Sequence, residues 1–262
     1  MFRNRAIQIL VLGLIFLSLM TIGSAGEGEK VTGLSHLDGK VFAVPAGTVA
    51  DQLVLSKFPN AKFQYYDSAL DACLAVKSGN ADAAAYDEPI LKNIAAKNPG
   101  LIVLPDMITF DDYGFAVRLG QPEIKNVIDE VVLELRNSGK YDAMLNRWLP
   151  EEGAPGEMPD IVLTGDNGVL KFGTAAVTEP FSFIDGSQQV VGFDIELAML
   201  IAQELEMQLE VIDLDFGEMI PALTSGKVDM IGACITITEE RAEKVLFSEP
   251  YYTGGIAALV KE

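Results

Sequence analysis

The constraint that most narrows the fold is an alternation of short apolar strands with helix-length segments, run through twice along the chain. In the first series 41–44 reads as a strand, 49–57 as a helix, 62–66 as a strand, 68–78 as a helix, 83–86 as a strand, 88–98 as a helix and 101–104 as a strand. A strand at 113–117 then leads into a long amphipathic helix, with Ile124, Val127, Ile128, Val131, Val132 and Leu135 at helical spacing, and into a second helix that runs to Trp148. The second series reads as strand 170–174, a strand near Val190, helix 193–206, strand 209–213, helix 217–225, strand 230–233, a short helix at 239–244 and a final strand at 256–260. Strands alternating with helices of this length predict an α/β fold with mixed, mostly parallel sheets flanked by helices. The two series are separated at 151–168 by a stretch rich in Pro, Gly and acidic residues, which reads as a linker.

Compartment is set by the N-terminus. Met1-Phe-Arg-Asn-Arg5 precedes an apolar run from Ala6 to Ile22 and the small residues Gly23-Ser24-Ala25, the pattern of a secretory signal cut after Ala25. The same run is at the lower length limit for an uncleaved membrane anchor, so both readings stand. Either one puts the remainder in the periplasmic or extracytoplasmic space, with membrane contact only through that segment. After a polar tether at 26–36, the exported part is long enough for two lobes with separate cores. With 38 acidic against 19 basic side chains the net charge is −19, and it becomes −21 once Arg3 and Arg5 leave with the signal. That balance excludes nucleic acid as a partner. Cys73 and Cys234 are the only cysteines and fall in different lobes, so two buried thiols are expected rather than a bridge. The single His36 and the absence of a Cys cluster give no metal-site signature, and no cofactor motif is present.

The segment Val191-Gly-Phe-Asp-Ile-Glu-Leu-Ala198, Asp215-Phe216, Ile220-Pro-Ala-Leu223, Ser225-Gly-Lys-Val-Asp229, Thr236-Ile-Thr-Glu-Glu-Arg241 and Phe247-Ser-Glu-Pro-Tyr-Tyr252 resembles the family 3 periplasmic solute-binding proteins of the amino-acid (glutamine or polar amino acid) type, which serve ABC importers. Pro45-Ala-Gly-Thr48, Ala75-Val-Lys-Ser-Gly-Asn-Ala-Asp-Ala83, Asp87-Glu-Pro89, Tyr113-Gly-Phe-Ala116 and Ser138-Gly-Lys-Tyr141 resemble the other end of the same family. The resemblance implies a two-lobed, periplasmic binding protein type II-like fold with its halves in circularly permuted order. Residues 37–118 would form an ammonium-side lobe, 119–150 the last helices of the Arg-bearing lobe, and 169–262 the rest of that lobe. One covalent crossing near Val117–Gly120 would join them. A gene fragment, or one unit of a tandem array whose lobes pair between neighbours, fits the same order.

The resemblance also implies the site. Arg241 would take the ligand carboxylate with its planar fork, ringed by Thr236 and the backbone of Ala233 and Cys234; Phe216 would pack on the ligand side chain. From the other lobe, Asp87 would accept the ammonium, with Gly47 and Thr48 beside it at a strand, Gly turn and helix N-terminus that can cradle a carboxylate or serve simply as turn and cap. Taken on the residues alone, Asp87 could equally cap the helix at Glu88, and Phe216 could be core. Ala175 and Thr178 stand where the family often has an Asp and an aromatic, so a small or neutral polar side chain is expected over a cationic one. The implied protein is a monomeric, non-enzymatic receptor that closes on a free amino acid and docks on an ABC permease. Two rivals remain: an arogenate (cyclohexadienyl) dehydratase-like enzyme with Glu179 or Glu88 as acid, and a membrane-tethered sensory or accessory module with altered ligand binding.

Overall fold

A computed structural model describes residues 31–150 and 154–262, and the segment expected from sequence to be a signal or anchor lies outside them. In chain order the elements are β1 (Val41–Pro45), α1 (Ala50–Lys57), β2 (Lys62–Tyr66), α2 (Ala69–Ser78), β3 (Ala83–Asp87), α3 (Glu88–Lys97), β4 (Leu101–Met107), β5 (Asp111–Tyr113), β6 (Ala116–Arg118), α4 (Pro122–Ser138) and α5 (Lys140–Trp148). After 154–168 follow β7 (Val169–Thr174), β8 (Val177–Thr178), β9 (Ser182–Ile184), β10 (Val190–Val191), α6 (Phe193–Glu204), β11 (Gln208–Asp213), α7 (Met219–Thr224), β12 (Met230–Ile231), α8 (Glu239–Ala242), β13 (Val245–Phe247), β14 (Tyr252–Gly254) and β15 (Ile256–Lys261).

Local chemistry explains the main boundaries. The Ser68 side chain caps α2 by accepting the Asp71 N–H at 3.1 Å, and Gly79 ends that helix in the left-handed region. Pro122 opens α4 and Gly139, again left-handed, closes it; between them Ile128, Val131, Val132 and Leu135 are buried, the face that helical spacing predicts. Every residue of β3, Ala-Ala-Ala-Tyr-Asp, is buried, as a central strand covered on both faces requires.

The elements form two five-stranded mixed sheets, in the orders β2-β1-β3-β15-β4 and β11-β7-β12-β6-β13. In each sheet one strand runs against both its neighbours: β15 is antiparallel to β3 and β4, and β6 to β12 and β13. Each of these reversed strands comes from the far half of the sequence. The two α/β lobes they complete are called the Asp87 lobe (sheet β2-β1-β3-β15-β4) and the Arg241 lobe (sheet β11-β7-β12-β6-β13).

This exchange of strands departs from the sequence reading. There 113–117 was one strand of the lobe formed by 37–118, and 256–260 belonged with 169–262. The chain instead breaks at Gly114: Tyr113 ends β5 in one layer, and Ala116 begins β6 in the Arg241 lobe's sheet. β15 crosses the other way, into the Asp87 lobe. Two crossings therefore join the lobes, not one, and they lie beside each other because β5 and β14 pair antiparallel with Tyr113 opposite Tyr252. The Thr253 hydroxyl donates to Asp112 at 2.7 Å and the Tyr113 and Tyr252 rings stack at 5.7 Å, so the connection between the lobes is a two-stranded ribbon.

The segment 154–168 has no regular structure and runs along the Arg241 lobe from α5 to β7. It is fastened by Gly156 N–H to Arg147 O at 2.7 Å, and by the Gln203 and Gln208 amides to the Val162 and Leu163 carbonyls. Both cysteines are buried free thiols, Cys73 on α2 and Cys234 in the Arg241 lobe. No helix among the described residues is long and apolar enough to cross a membrane.

Candidate functional site

Loops at the facing ends of the two sheets meet in one cleft. From the Asp87 lobe come the turn after β1, with Gly47 and Thr48, and the C-terminal end of β3, with Tyr86 and Asp87. From the Arg241 lobe come Phe216, ahead of α7, the loop after β12 with Cys234 and Thr236, and Arg241 on α8. A small space of about 10 Å³ is lined by Thr48, Asp87, Phe216, Cys234, Thr236 and Arg241 together with Val49, Ala50, Tyr86 and Ile256. Six of the eight residues named from sequence thus meet there. Gly47 lies at the rim, where an added Cβ would come within 3.0 Å of Gly217 Cα on the opposite lobe. Ala233 lies elsewhere, wholly buried in the apolar cluster of Ala175, Leu223 and Ile231.

Arg241 is 8% exposed. Its Nη1 donates to Thr236 O at 3.0 Å, and the guanidinium carbon sits 5.6 Å from the Phe216 ring centre. Those contacts fix the plane of the fork while using one of its five donors, which leaves an edge to face a carboxylate. Thr238 caps α8 by accepting the Arg241 N–H at 3.2 Å, so the short helix is anchored at the residue that carries the charge. Burial pulls the Arg241 pKa below its ordinary value, against the opposing fields of Tyr86, Asp87 and Glu240.

Asp87 is 3% exposed. It stands at the N-cap of α3, yet its side chain makes no capping bond; it accepts the Tyr113 hydroxyl instead. Burial pushes its pKa up to about 7, and Asp111 adds to the rise, while the Tyr113 hydrogen bond and the Arg241 charge oppose it. Thr48 uses its hydroxyl locally, donating to Pro45 O at 2.9 Å and accepting the Ala50 N–H at 3.3 Å, so the turn-and-cap role is the one it fills. Cys234 adopts φ +50°, a conformation costly for a side chain with a Cβ, and its N–H donates to the buried Asp194 carboxylate at 3.2 Å. Burial raises its thiol pKa well above the ordinary value, which leaves it a poor nucleophile.

Two wider grooves open from this space. One, of about 610 Å³, is lined by Gln52, Thr238, Glu240 and Lys244. The other, of about 1180 Å³, is lined by Asp67, Val177, Thr178, Asp213, Asp215, Glu218 and Lys227. Ala175 is core, and the buried Thr178 hydroxyl bonds to Ala175 O at 3.0 Å, so the β7–β8 loop turns its polar group inward. Glu179 pairs with Lys97 of the Asp87 lobe at 2.5 Å, and Glu88 pairs with Lys92 on its own helix. Neither lines the small central space. Tyr86 and Tyr113 were not named from sequence as site residues, although Tyr113 opens the Tyr113-Gly-Phe-Ala116 motif; Tyr113 sits far from Asp87 in sequence, and only the crossing of the ribbon brings them together. No cluster of three or more metal-ligating side chains occurs among the described residues.

Residues 170–262 match the family model of the bacterial extracellular solute-binding proteins, family 3. The arginine-binding extracellular protein ArtP of Bacillus subtilis is 43% identical over 84 residues, which is 32% of this chain and 32% of that protein. The glutamine-binding protein GlnH of an ABC transporter of the same organism is 29% identical over 130 residues, 49% of this chain and 47% of that one. The virulence sensor protein BvgS of Bordetella pertussis is 23% identical over 246 residues, 90% of this chain but 20% of the sensor. The chain thus spans a third to a half of the length of the two binding proteins. Residues 170–262, which contribute Phe216, Cys234, Thr236 and Arg241, are thus the part of the chain that is similar to the family 3 bacterial extracellular solute-binding proteins.

Proposed function

We propose that this protein binds a free amino acid between its lobes and serves as the extracytoplasmic substrate-binding component of an ABC amino-acid importer. The observation that carries this reading is the pairing of a buried cation with a buried carboxyl from opposite lobes around one small space, Arg241 on one side and Asp87 on the other. A free amino acid presents a carboxylate and an ammonium at fixed separation, and these two side chains complement it. A space of about 10 Å³ holds on the order of one water molecule, so admitting a ligand requires the lobes to part. The ribbon of β5 and β14 supplies the hinge, and contacts to both lobes favour the closed state by differential affinity. Binding rather than catalysis is also favoured by Glu179 and Glu88, the carboxyls considered as acids, which are both engaged in ion pairs.

Arginine and glutamine head the ligand candidates, since the binding relatives are named for them. The lost aromatic at Thr178 argues for a neutral polar side chain. The groove beside it, with Asp67, Asp213, Asp215 and Glu218 against Lys227, argues for a cation. The deciding experiment is a thermal-shift screen of the twenty amino acids and polyamines, followed by calorimetry on wild type, Arg241→Ala and Asp87→Ala. A ligand at 100 times its Kd raises stability by about 2.7 kcal/mol, a readily measured shift. The expected result is a shift with one or a few amino acids that both substitutions abolish; a shift that survives both places the site elsewhere.

We further propose that the halves stand in exchanged, circularly permuted order. The family match falls at 170–262, and β15, which ends that match, completes the sheet of β1–β4. A second reading is favoured by one observation, the match to the sensor that runs over 90% of this chain inside a far longer protein. It makes the chain a sensory module whose order of halves belongs to a longer array. A monomer that binds ligand supports the permuted receptor, and binding seen only in an associated form supports the array.

A further inference from the structure

We propose that Tyr113 is a positioning residue for the ligand ammonium: its hydroxyl, which donates to Asp87 and accepts the Gly255 N–H, favours Asp87 as an anion and ties that charge to both strands of the hinge. The inference rests on the amino-acid reading for what Asp87 receives, but the pairing itself is read from the geometry. Tyr113 is fully buried at the end of β5. Its hydroxyl lies between the Asp87 carboxyl and the Gly255 N–H, the latter at 3.0 Å. Gly255 joins β14 to β15, at φ +150°, where a Cβ would fall 2.0 Å from Thr109 O; only glycine permits this approach. One side chain on the first crossing thus bonds a group in the cleft and the backbone of the second crossing.

The groups facing Asp87 come from several elements. Tyr86 precedes it on β3, Asp111 and Tyr113 lie on β5, Tyr252 on β14, Cys234 after β12 and Arg241 on α8. Desolvation and Asp111 favour the neutral acid, whereas Tyr113 and Arg241 favour the anion. Burial and the neighbouring carboxyl raise the Tyr113 pKa far above the usual phenol value, so the phenol remains a donor. An ammonium needs the carboxylate form, and removing the Tyr113 donor shifts the balance toward the acid.

The test compares wild type with Tyr113→Phe, which keeps the ring stacked on Tyr252. Two quantities are read: the Asp87 carboxyl titration by carbon NMR on ligand-free protein, and the calorimetric affinity for L-arginine and L-glutamine between pH 5.5 and 8.5. Hydrogen bonds to charged groups are strong enough that Tyr113→Phe is expected to raise the Asp87 midpoint by about one pH unit and to weaken binding about fivefold at pH 7, with recovery toward pH 8.5. An unchanged Asp87 midpoint, or a loss of affinity by the same factor at every pH, overturns the proposal. If wild type binds neither amino acid, the amino-acid reading loses its support while the carboxyl titration still decides the role of Tyr113. Should Tyr113→Phe not fold, the wild-type Tyr113 ring-carbon resonance decides instead, since it must move with Asp87 protonation; a resonance that ignores it overturns the pairing.

Discussion

Asp194 shows how a residue outside the cleft governs one inside it. Its carboxyl is wholly buried at the start of α6 and accepts the Cys234 N–H at 3.2 Å, which holds the loop carrying Cys234 and Thr236 against the Arg241 lobe. Burial pushes its pKa up to about 7, against that hydrogen bond, from the ordinary 3.8. Between those two values the folded protein holds a proton that the unfolded chain has released. The stability that Asp194 contributes is therefore fully present below pH 4 and is lost as pH rises toward 7, on the order of a few kcal/mol in all. Asp87 acts with the same sign over the same window. Melting curves of ligand-free protein from pH 5 to 8 should show this decline, and Asp194→Asn, which keeps an acceptor for Cys234, should flatten it. An Asp194→Asn profile parallel to wild type would mean that Asp194 is charged throughout.

At the scale of elements, the contact between α5 and α6 is held by a single buried acid. Glu196 on α6 accepts Arg147 Nη1 at 2.6 and 2.7 Å and Trp148 Nε1 at 2.6 Å, which fastens the end of the first half of the chain to the second. Glu196→Ala would leave the indole N–H and the half-buried guanidinium without an acceptor. The expected loss is about 3 kcal/mol in chemical denaturation, and a loss under 1 kcal/mol would show that packing around Trp148, not the polar triad, makes the contact. The pairing of Glu196 with Arg147 and Trp148 was not readable from sequence, although α5 and α6 themselves were legible. Periodicity locates a helix because it records the helix's own burial, as at Ile128, Val131 and Leu135 in α4. It is silent about which distant element answers that burial. The same limit explains β6 and β15, three and six residues long, whose place in opposite sheets depends on pairing with strands far away in sequence. The site was more legible than the crossings, because Arg241 and Asp87 stand in distinctive motifs. Tyr113 was not assigned to the site, because a tyrosine in an apolar strand reads as core until its hydroxyl partner is in view.

At the scale of the molecule, the ribbon of β5 and β14 bears on what the proposed exchange of the halves would mean for the proposed closure. A receptor with one covalent crossing would open loosely and lose entropy on closing. Here both crossings are present and paired, with Tyr252 opposite Tyr113, so the proposed exchange of order would leave this connection unchanged. β15 runs antiparallel to β3, with Leu259 opposite Ala84, and Ala83 lies beside Phe42 on β1. The end of β15 and the start of β1 therefore lie at the same end of the sheet, two strands apart, roughly 10 Å by the usual spacing. A short loop spans that gap. A chain rebuilt as 169–262, a short Gly/Ser loop, then 37–150 should fold as a monomer with the same ligand affinity as the natural order and a melting temperature within a few degrees. A rebuilt chain that folds but binds tenfold or more weakly would show that the order of the halves constrains closure. One that folds only by exchanging lobes with a second copy would favour the array over the self-contained receptor.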